Sequence, residues 1–351
     1  MAAALRMLEP GLSTTVQDLG RSGYQHLGVA VSGALDPVSL RAANALVGNA
    51  PGTGALEVAY VGPKFVVEAE SVQLACVGSG ARIELLPDET AADGINIGGM
   101  QTFRARRGEV IRIGALSDAA VLYVAVEGGF AIEPVLGSVS TYARGGMGGW
   151  QGRALRPGDT LPLTLNRASD RGEFRLDGLN LSRPARYRAI LGPQHAFFSE
   201  RAIRQLFESE YIVKAASNRM ALLLDGPALD HVSGFDIISD GIAIGSIQVP
   251  GHGQPIVLMA DRQTTGGYPK VATVISADLP ALGRARIGET IRFEAIGVEE
   301  AQELRRRHLL EVDAIADRIV PLTRSGDEIA MHLFGSNLIS GAIDAHSAYA
   351  D

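Results

Sequence analysis

Short apolar runs separated by turn-forming residues recur along the chain. "KFVVEAE", "VQLACVG", "RIELL", "EVIRIG", "AAVLYVAVEGG", "YRAILG", "PIVLMAD" and "VATVISAD" are rich in β-branched residues and short enough for strands rather than helices. The 42 glycines and 16 prolines fall largely between these runs, where tight turns and bulges need them. The pattern predicts a mainly β protein with a few helices. Three segments carry helical spacing instead. "DPVSLRAANALVG" has Pro37 in its first turn and Leu40, Ala43 and Leu46 on one face; "FFSERAIRQLFES" follows later. "VEEAQELRRRHLLEVDAIADRI" places Glu299 and Glu300 at the positive end of a helix dipole.

Two patterns recur at longer range. "DGINIGGMQ" (93–101) matches "DGIAIGSIQ" (240–248), and an Arg-x-Gly-acid turn appears in "RRGEVI", "RPGDTL" and "RIGETI". The order predicts a repeated β unit whose second copy holds a longer insertion. That insertion contains "DRQTTGGYPK", residues 261–270, the densest polar stretch between two apolar runs. Scaffolds repeat for stability and loops diverge for chemistry, so this decapeptide is the first place to seek a site.

Composition narrows the function classes. At 351 residues the chain can bury a large core and is sized for two domains. A 46% hydrophobic share, a 20% charged share and a net charge of −7 give no electrostatic reason to bind nucleic acid or anionic lipid. The start "MAAALRMLEPG" lacks the apolar core of a signal peptide, and no stretch approaches a membrane span, so a cytoplasmic location is expected. Cys76 is the only cysteine and sits in an apolar run, which reads as a buried thiol in a reducing compartment. There is no Walker A sequence, no G-x-S-x-G elbow and no H-x-x-x-H or C-x-x-C pair, and the seven histidines are scattered, so no metal site is indicated.

The decapeptide supplies candidate chemistry. Asp261 is an acceptor or general base, Arg262 and Lys270 are clamps for a carboxylate or phosphate, and Gln263, Thr264 and Thr265 can orient an amide. Gly266 and Gly267 permit positive φ and exposed N–H groups for a developing oxyanion, while Pro269 holds Tyr268 extended. Lys270 is one of three lysines in the chain. Upstream, Gln248 and the glycine-flanked His252 join the same neighbourhood, His252 as an exposed proton-transfer candidate. The competing reading is a rigid β-bulge whose charges only solvate a loop. A second polar stretch, "TTVQDLGRSGYQHLGVAVSGALD", holds Gln17, Asp18, Arg21, His26 and Asp36; it reads either as a binding rim or as a loop braced by an Asp18–Arg21 ion pair. A third, "GSVSTYARGGMGGWQGR", has the glycine density of a phosphate loop without its Gly-Lys-Ser/Thr ending.

Taken together, "TTVQDLGRSGYQHLGVAVSGALD", "ANALVGN", "LEVAYVGP", "GSVSTYARGGMGG", "GRALRPGD", "SNRMALLLDGP" and "IQVPGHGQPIVLMADRQTTGGYPKVATVISADL" resemble the biotin-dependent carboxyltransferase-like family, which includes allophanate hydrolase subunit 2-like proteins and the C subunit of 5-oxoprolinase. The resemblance covers roughly residues 5–294. It implies two β-barrel-like domains, the C-terminal one cyclophilin-like, with an N-terminal β-rich domain at 1–185, the barrel at 186–296 and a helix and tail at 297–351. Standalone members imply the C subunit of an ATP-dependent 5-oxoprolinase, converting 5-oxoproline to glutamate together with the A and B subunits. The resemblance alone does not place the ATP site in any one of the three. Fused relatives imply the alternative, a carboxyltransferase moving a carboxyl group from carboxybiotin, held on another protein, to urea or a similar amide. No lysine here is flanked like a biotin acceptor. A third reading is a non-enzymatic regulatory partner of its sister protein in the complex. Carried over position by position, the pocket residues are Gln248, Asp261, Arg262, Gln263, Thr264, Thr265, Gly266, Gly267, Tyr268 and Lys270, with Asp261, Lys270 and Tyr268 catalytic. Gln17, Asp18 and Arg21 follow as a substrate-binding rim or a contact between subunits. The chain departs from the family after "ADLP", where it reads "ALGRARIGE" with Gly283, Arg284 and Ile287. The apolar tail segment from Met331 to Ile343 is expected to complete a contact with a partner protein.

Overall fold

The structure is a computed structural model that describes residues 3–78 and 80–322. It is mainly β, as the run pattern requires. In the N-terminal unit two antiparallel sheets close over one core. The first has six strands, ordered Thr160–Pro162, Ala4–Glu9, Lys64–Val67, Val110–Ile113, Ile83–Leu86 and Ile95–Ile97. The second has five, ordered Ser13–Gln17, Ala55–Ala59, Val121–Val126, Ser71–Gly78 and Thr102–Arg106. Alternation along Val121–Val126 shows why that strand reads as one unbroken apolar run. Leu122, Val124 and Val126 enter the inter-sheet core with Phe65 and Ile111, while Val121, Tyr123 and Ala125 face helix α1 (Pro37–Leu46) on the other side. Asp36 starts α1 by accepting from the N–H groups of Val38 (3.0 Å) and Ser39 (3.2 Å), with Pro37 in the first turn.

The C-terminal unit is a nearly closed barrel of eight strands, ordered Thr290–Ile291, Tyr211–Val213, Ala221–Asp225, Ile256–Leu258, Ser246–Gln248, Lys270–Val274, Tyr187–Leu191 and Phe293–Ala295. Its two edge strands are separated only by Arg292, so one stretch of chain borders both sides of the remaining gap. Closure removes free edges. Helix α2 (Glu200–Glu208), capped by Ser199, and the short α3 (Leu279–Gly283) pack on it. Helix α4 (Val298–Asp313) buries no residue fully, and the chain beyond it returns to the N-terminal unit. There Ile315 is 3% exposed in the α1 core, and Ile319–Pro321 pairs with Phe174–Leu176. The tail segment from Met331 lies outside the described residues.

The three Arg-x-Gly-acid sequences form the same turn. The Arg N–H donates to the acid three residues on, Arg106 to Glu109 (2.6 Å), Arg156 to Asp159 (2.7 Å) and Arg286 to Glu289 (2.9 Å). Each central glycine has a φ between +81° and +87°, a region open to glycine and strained for other residues. The "DGI" echo does not share one structure. Ile95–Ile97 forms an exposed edge strand, whereas Ile242 is buried and strand structure resumes only at Ser246. The departure at Gly283 has a steric reason, because a methyl there would lie 2.1 Å from the Leu35 carbonyl oxygen.

Candidate functional site

The decapeptide connects two neighbours of the barrel's central strand and lies against the N-terminal unit. Asp261 and Arg262 are adjacent and point to different partners. Arg262 is buried; its Nε–H donates to the Ile242 carbonyl (3.1 Å) and Nη1 to that of Met259 (3.4 Å). Burial lowers its pKa and no acid offsets that shift, although a guanidinium keeps its charge. It lines a cavity of about 580 Å³ with Gln25, His26, Ile242, Thr264 and Thr265. The short 3₁₀ turn Gln25–Leu27 brings His26 from the N-terminal polar stretch, so both units contribute to this cavity. A buried cation with no carboxylate partner among the described residues, facing an open cavity beside hydroxyls, is suited to an anionic ligand.

Asp261 is committed to holding the units together. Both its oxygens lie 3.0 Å from Arg219, one from Nε and one from Nη2, and the Ser32 hydroxyl donates to Oδ1 at 2.6 Å. Arg219 also pairs with Glu57, which accepts from the Tyr123 hydroxyl and from the Leu35 N–H (2.9 Å). Tyr123 in turn accepts from the Asp36 N–H (2.9 Å), and Asp36 pairs with Arg284 (2.7 Å). One chain of buried polar contacts thus runs from the decapeptide to α3. Arg219, with a side chain 19% exposed, is pushed up in pKa: desolvation opposes the charge, and Glu57 and Asp261 together outweigh it. Tyr123 is pushed up by burial and by the carboxylates of Glu57 and Asp36. Ser32 holds a φ of 58°, in the left-handed region that non-glycine residues rarely occupy.

Lys270 opens the strand Lys270–Val274. Its ammonium is buried, 2.6 Å from Asp240 and 3.0 Å from the Gly241 carbonyl. Hydrogen bonds from Lys270 and from the Gly241 N–H hold the Asp240 carboxylate below the usual range, though Asp240 is 55% exposed. Thr265–Gly266 pairs with Asp240–Gly241, which brings the lysine's partner alongside the decapeptide. Gln248 donates to the Tyr268 carbonyl (3.2 Å), and Gln263 donates to Gln248 (3.4 Å), so the two amides brace the loop. Tyr268 is 42% exposed at the rim. Neither Gly266 nor Gly267 has positive φ, contrary to expectation. They serve close packing instead: a methyl at Gly266 would meet Ile242 at 2.7 Å and one at Gly267 the Ile237 carbonyl at 3.1 Å. His252 is exposed on a turn.

Gln17, Asp18 and Arg21 are all buried, and they hold the third glycine-rich stretch. Asp18 accepts from the hydroxyls of Ser138 (2.7 Å) and Ser140 and from the Val139 N–H (2.7 Å). Gln17 donates to the Thr141 carbonyl (3.1 Å) and Arg21 to the Ser140 carbonyl. The expected Asp18–Arg21 ion pair is not among the ion pairs of the described residues: Asp18 is spent on this loop, whereas Arg21 reaches the Val135 and Ser140 carbonyls and keeps a buried Nη1 without a partner. A methyl at Gly148 would fall 2.1 Å from the Ser140 carbonyl, which accounts for that glycine. Arg219, Glu57, Ser32 and Asp240 are not among the site residues the sequence pointed to. Glu57 had a legible signal, a lone acid inside the apolar run "ALEVA".

Residues 27–295 match the family model for the carboxyltransferase domain, subdomain A and B. The chain belongs to this carboxyltransferase family. Within it, the chain is 36% identical over 301 residues to the C subunit of 5-oxoprolinase from Haemophilus influenzae, covering 86% of this chain and 94% of that protein. It is 35% identical over 317 residues to the C subunit of 5-oxoprolinase from Escherichia coli, covering 90% and 98%. Among solved structures, the carboxyltransferase fold superposes on K. lactis urea amidolyase with a TM-score of 0.80 and 27% identity, over 93% of this chain and 21% of that chain. Among the described residues, no helix is long and apolar enough to cross a membrane.

Proposed function

We propose that this carboxyltransferase-family chain is the C subunit of an ATP-dependent 5-oxoprolinase, acting with A-like and B-like subunits to open 5-oxoproline to glutamate. The observation that carries the reading is extent: the chain corresponds to nearly the whole of two proteins named as the C subunit of 5-oxoprolinase, but to about a fifth of the urea amidolyase chain. The cavity geometry is consistent with it. 5-Oxoproline carries one carboxylate and one lactam amide. Arg262 would take the carboxylate, and Thr264, Thr265 and Gln25 would orient the amide. Lys270 and Tyr268 would act beside them, Lys270 once the exposed Asp240 swings away, and Asp261, anchored by Arg219, would serve as the positioning group for its neighbour Arg262. Opening the lactam adds water across its C–N bond, and ATP hydrolysis drives it in the assembled complex. These residues would supply binding, orientation and charge.

Replacing Arg262 by Gln, in the chain co-expressed with both partner subunits, should cut ATP-dependent glutamate release about 10- to 100-fold while the complex still co-purifies, the worth of one charge-assisted contact. Full activity of Arg262→Gln would remove the cavity from the mechanism. No glutamate release from the intact wild-type complex would overturn the oxoprolinase reading. The second reading, carboxyl transfer from carboxybiotin on another protein to urea or a similar amide, draws on the fold shared with urea amidolyase. It predicts binding of a biotinylated carrier, which the first does not.

A further inference from the structure

A second cavity, of about 440 Å³, shares no lining residue with the first. It lies where α1, α3, α4 and the segment 179–184 meet. Its walls combine apolar side chains, Val38, Leu179, Val312 and Ile315 among them, with four arginines. Three of these are engaged by carboxylates: Arg183 by Glu289, Arg188 by Asp278, and Arg284 by Asp36. One donor and one cationic charge remain uncommitted. Arg284 is buried, yet its Nε–H has no acceptor. Arg318 donates to the Gly178 carbonyl and is not in any ion pair among the described residues. Arg284 also lines an adjoining cavity of about 480 Å³, with Leu181, Ser182 and Arg183 common to both. Of the two lining carboxylates, Asp278 is filled by Arg188, through its backbone N–H (2.7 Å) and its guanidinium, and Glu311 is exposed.

We infer that this cavity is a second ligand site, for a small monocarboxylate with a short apolar body, held between Arg284 and Arg318. The chemistry sets the class. An unspent donor on Arg284 and an unpaired charge on Arg318 ask for an anionic acceptor, and the apolar walls ask for hydrocarbon. Arg318 is the one lining arginine without an ion pair among the described residues, which matches one negative charge and not the two of a dianion such as phosphate. The volume is that of a small-molecule pocket rather than a packing defect.

Hexanoate is the probe, titrated onto the full-length chain and followed by calorimetry, with hexanamide as the uncharged counterpart. Saturable binding of hexanoate is expected, weakened at least about 10-fold in Arg318→Gln and for hexanamide, and unchanged in Arg262→Gln, which alters only the first cavity. Arg284→Gln should weaken it similarly. That variant also strips Asp36 of its ion pair, so its fold is checked by circular dichroism and Arg318→Gln decides if it fails. Absence of hexanoate binding to the wild-type chain, or binding indifferent to Arg318→Gln, overturns the inference.

Discussion

Arg219 serves three acceptors with one guanidinium, Asp261, Glu57 and the Gly33 carbonyl, and two of these belong to the other unit. Removing it would leave two carboxylates buried without a counter-charge, so Arg219→Met should lower unfolding stability by about 3–5 kcal/mol in chemical denaturation. A loss below about 1 kcal/mol would show that water replaces the guanidinium at little cost. Cys76 represents the opposite case. Burial pushes its thiol up to about 12, leaving almost no thiolate near neutral pH. Iodoacetamide at pH 8 should leave Cys76 unmodified in the folded chain and label it fully in denaturant. Rapid native labelling would mean that the strand Ser71–Gly78 opens. Burial of this thiol was legible from its apolar neighbours; the role of Arg219 was not, because its partners lie far away in sequence.

At the scale of elements, the Arg-x-Gly-acid turns show a short motif that fixes its own geometry. In the middle copy Asp159 also takes a two-point ion pair from Arg153, at 2.7 and 2.9 Å. Hydrogen bonding from Arg153 holds the Asp159 carboxyl below its ordinary value. A depressed folded pKa contributes stability that is complete above the unfolded value, about 3.9, and is lost as pH falls through the folded one. Asp159→Asn should therefore lower Tm at pH 7, with the gap from wild type closing as pH drops below about 4. A gap that persists at pH 2 would assign the effect to packing rather than charge. The helices α1 and α2 were readable from helical spacing, with Pro37 in the first turn of α1; the structure adds their caps, Asp36 and Ser199, which satisfy N–H groups of those first turns. The short α3 was not, because five residues give no periodicity and its burial comes from distant neighbours.

At the scale of the molecule, the segment after α4 closes back on the start of the fold. A chain ending at Ile296 would lose Ile315 from the α1 core and the partner strand of Phe174–Leu176. It should be destabilised by at least about 2–5 kcal/mol, measured as a lower denaturation midpoint of the purified chain without partners. Unchanged stability would make this return segment dispensable to the fold. Truncation thus removes intramolecular packing as well as any contact with a partner protein, and a test of the latter should keep residues through 322.

The sequence by itself determined the β character, the turns, the helices α1 and α2 and the decapeptide as the place to look, because each depends on propensities and spacings that act within a few residues. It also determined the family, through long ordered motifs. Tertiary structure decided how those residues are used. It gave Asp261 to Arg219, gave Gln17, Asp18 and Arg21 to the glycine-rich loop, and left Arg262 facing a cavity with His26. Pairing of buried charges depends on which elements meet in space, and residues such as Ser32 and Asp261, 229 positions apart, carry no local trace of that meeting.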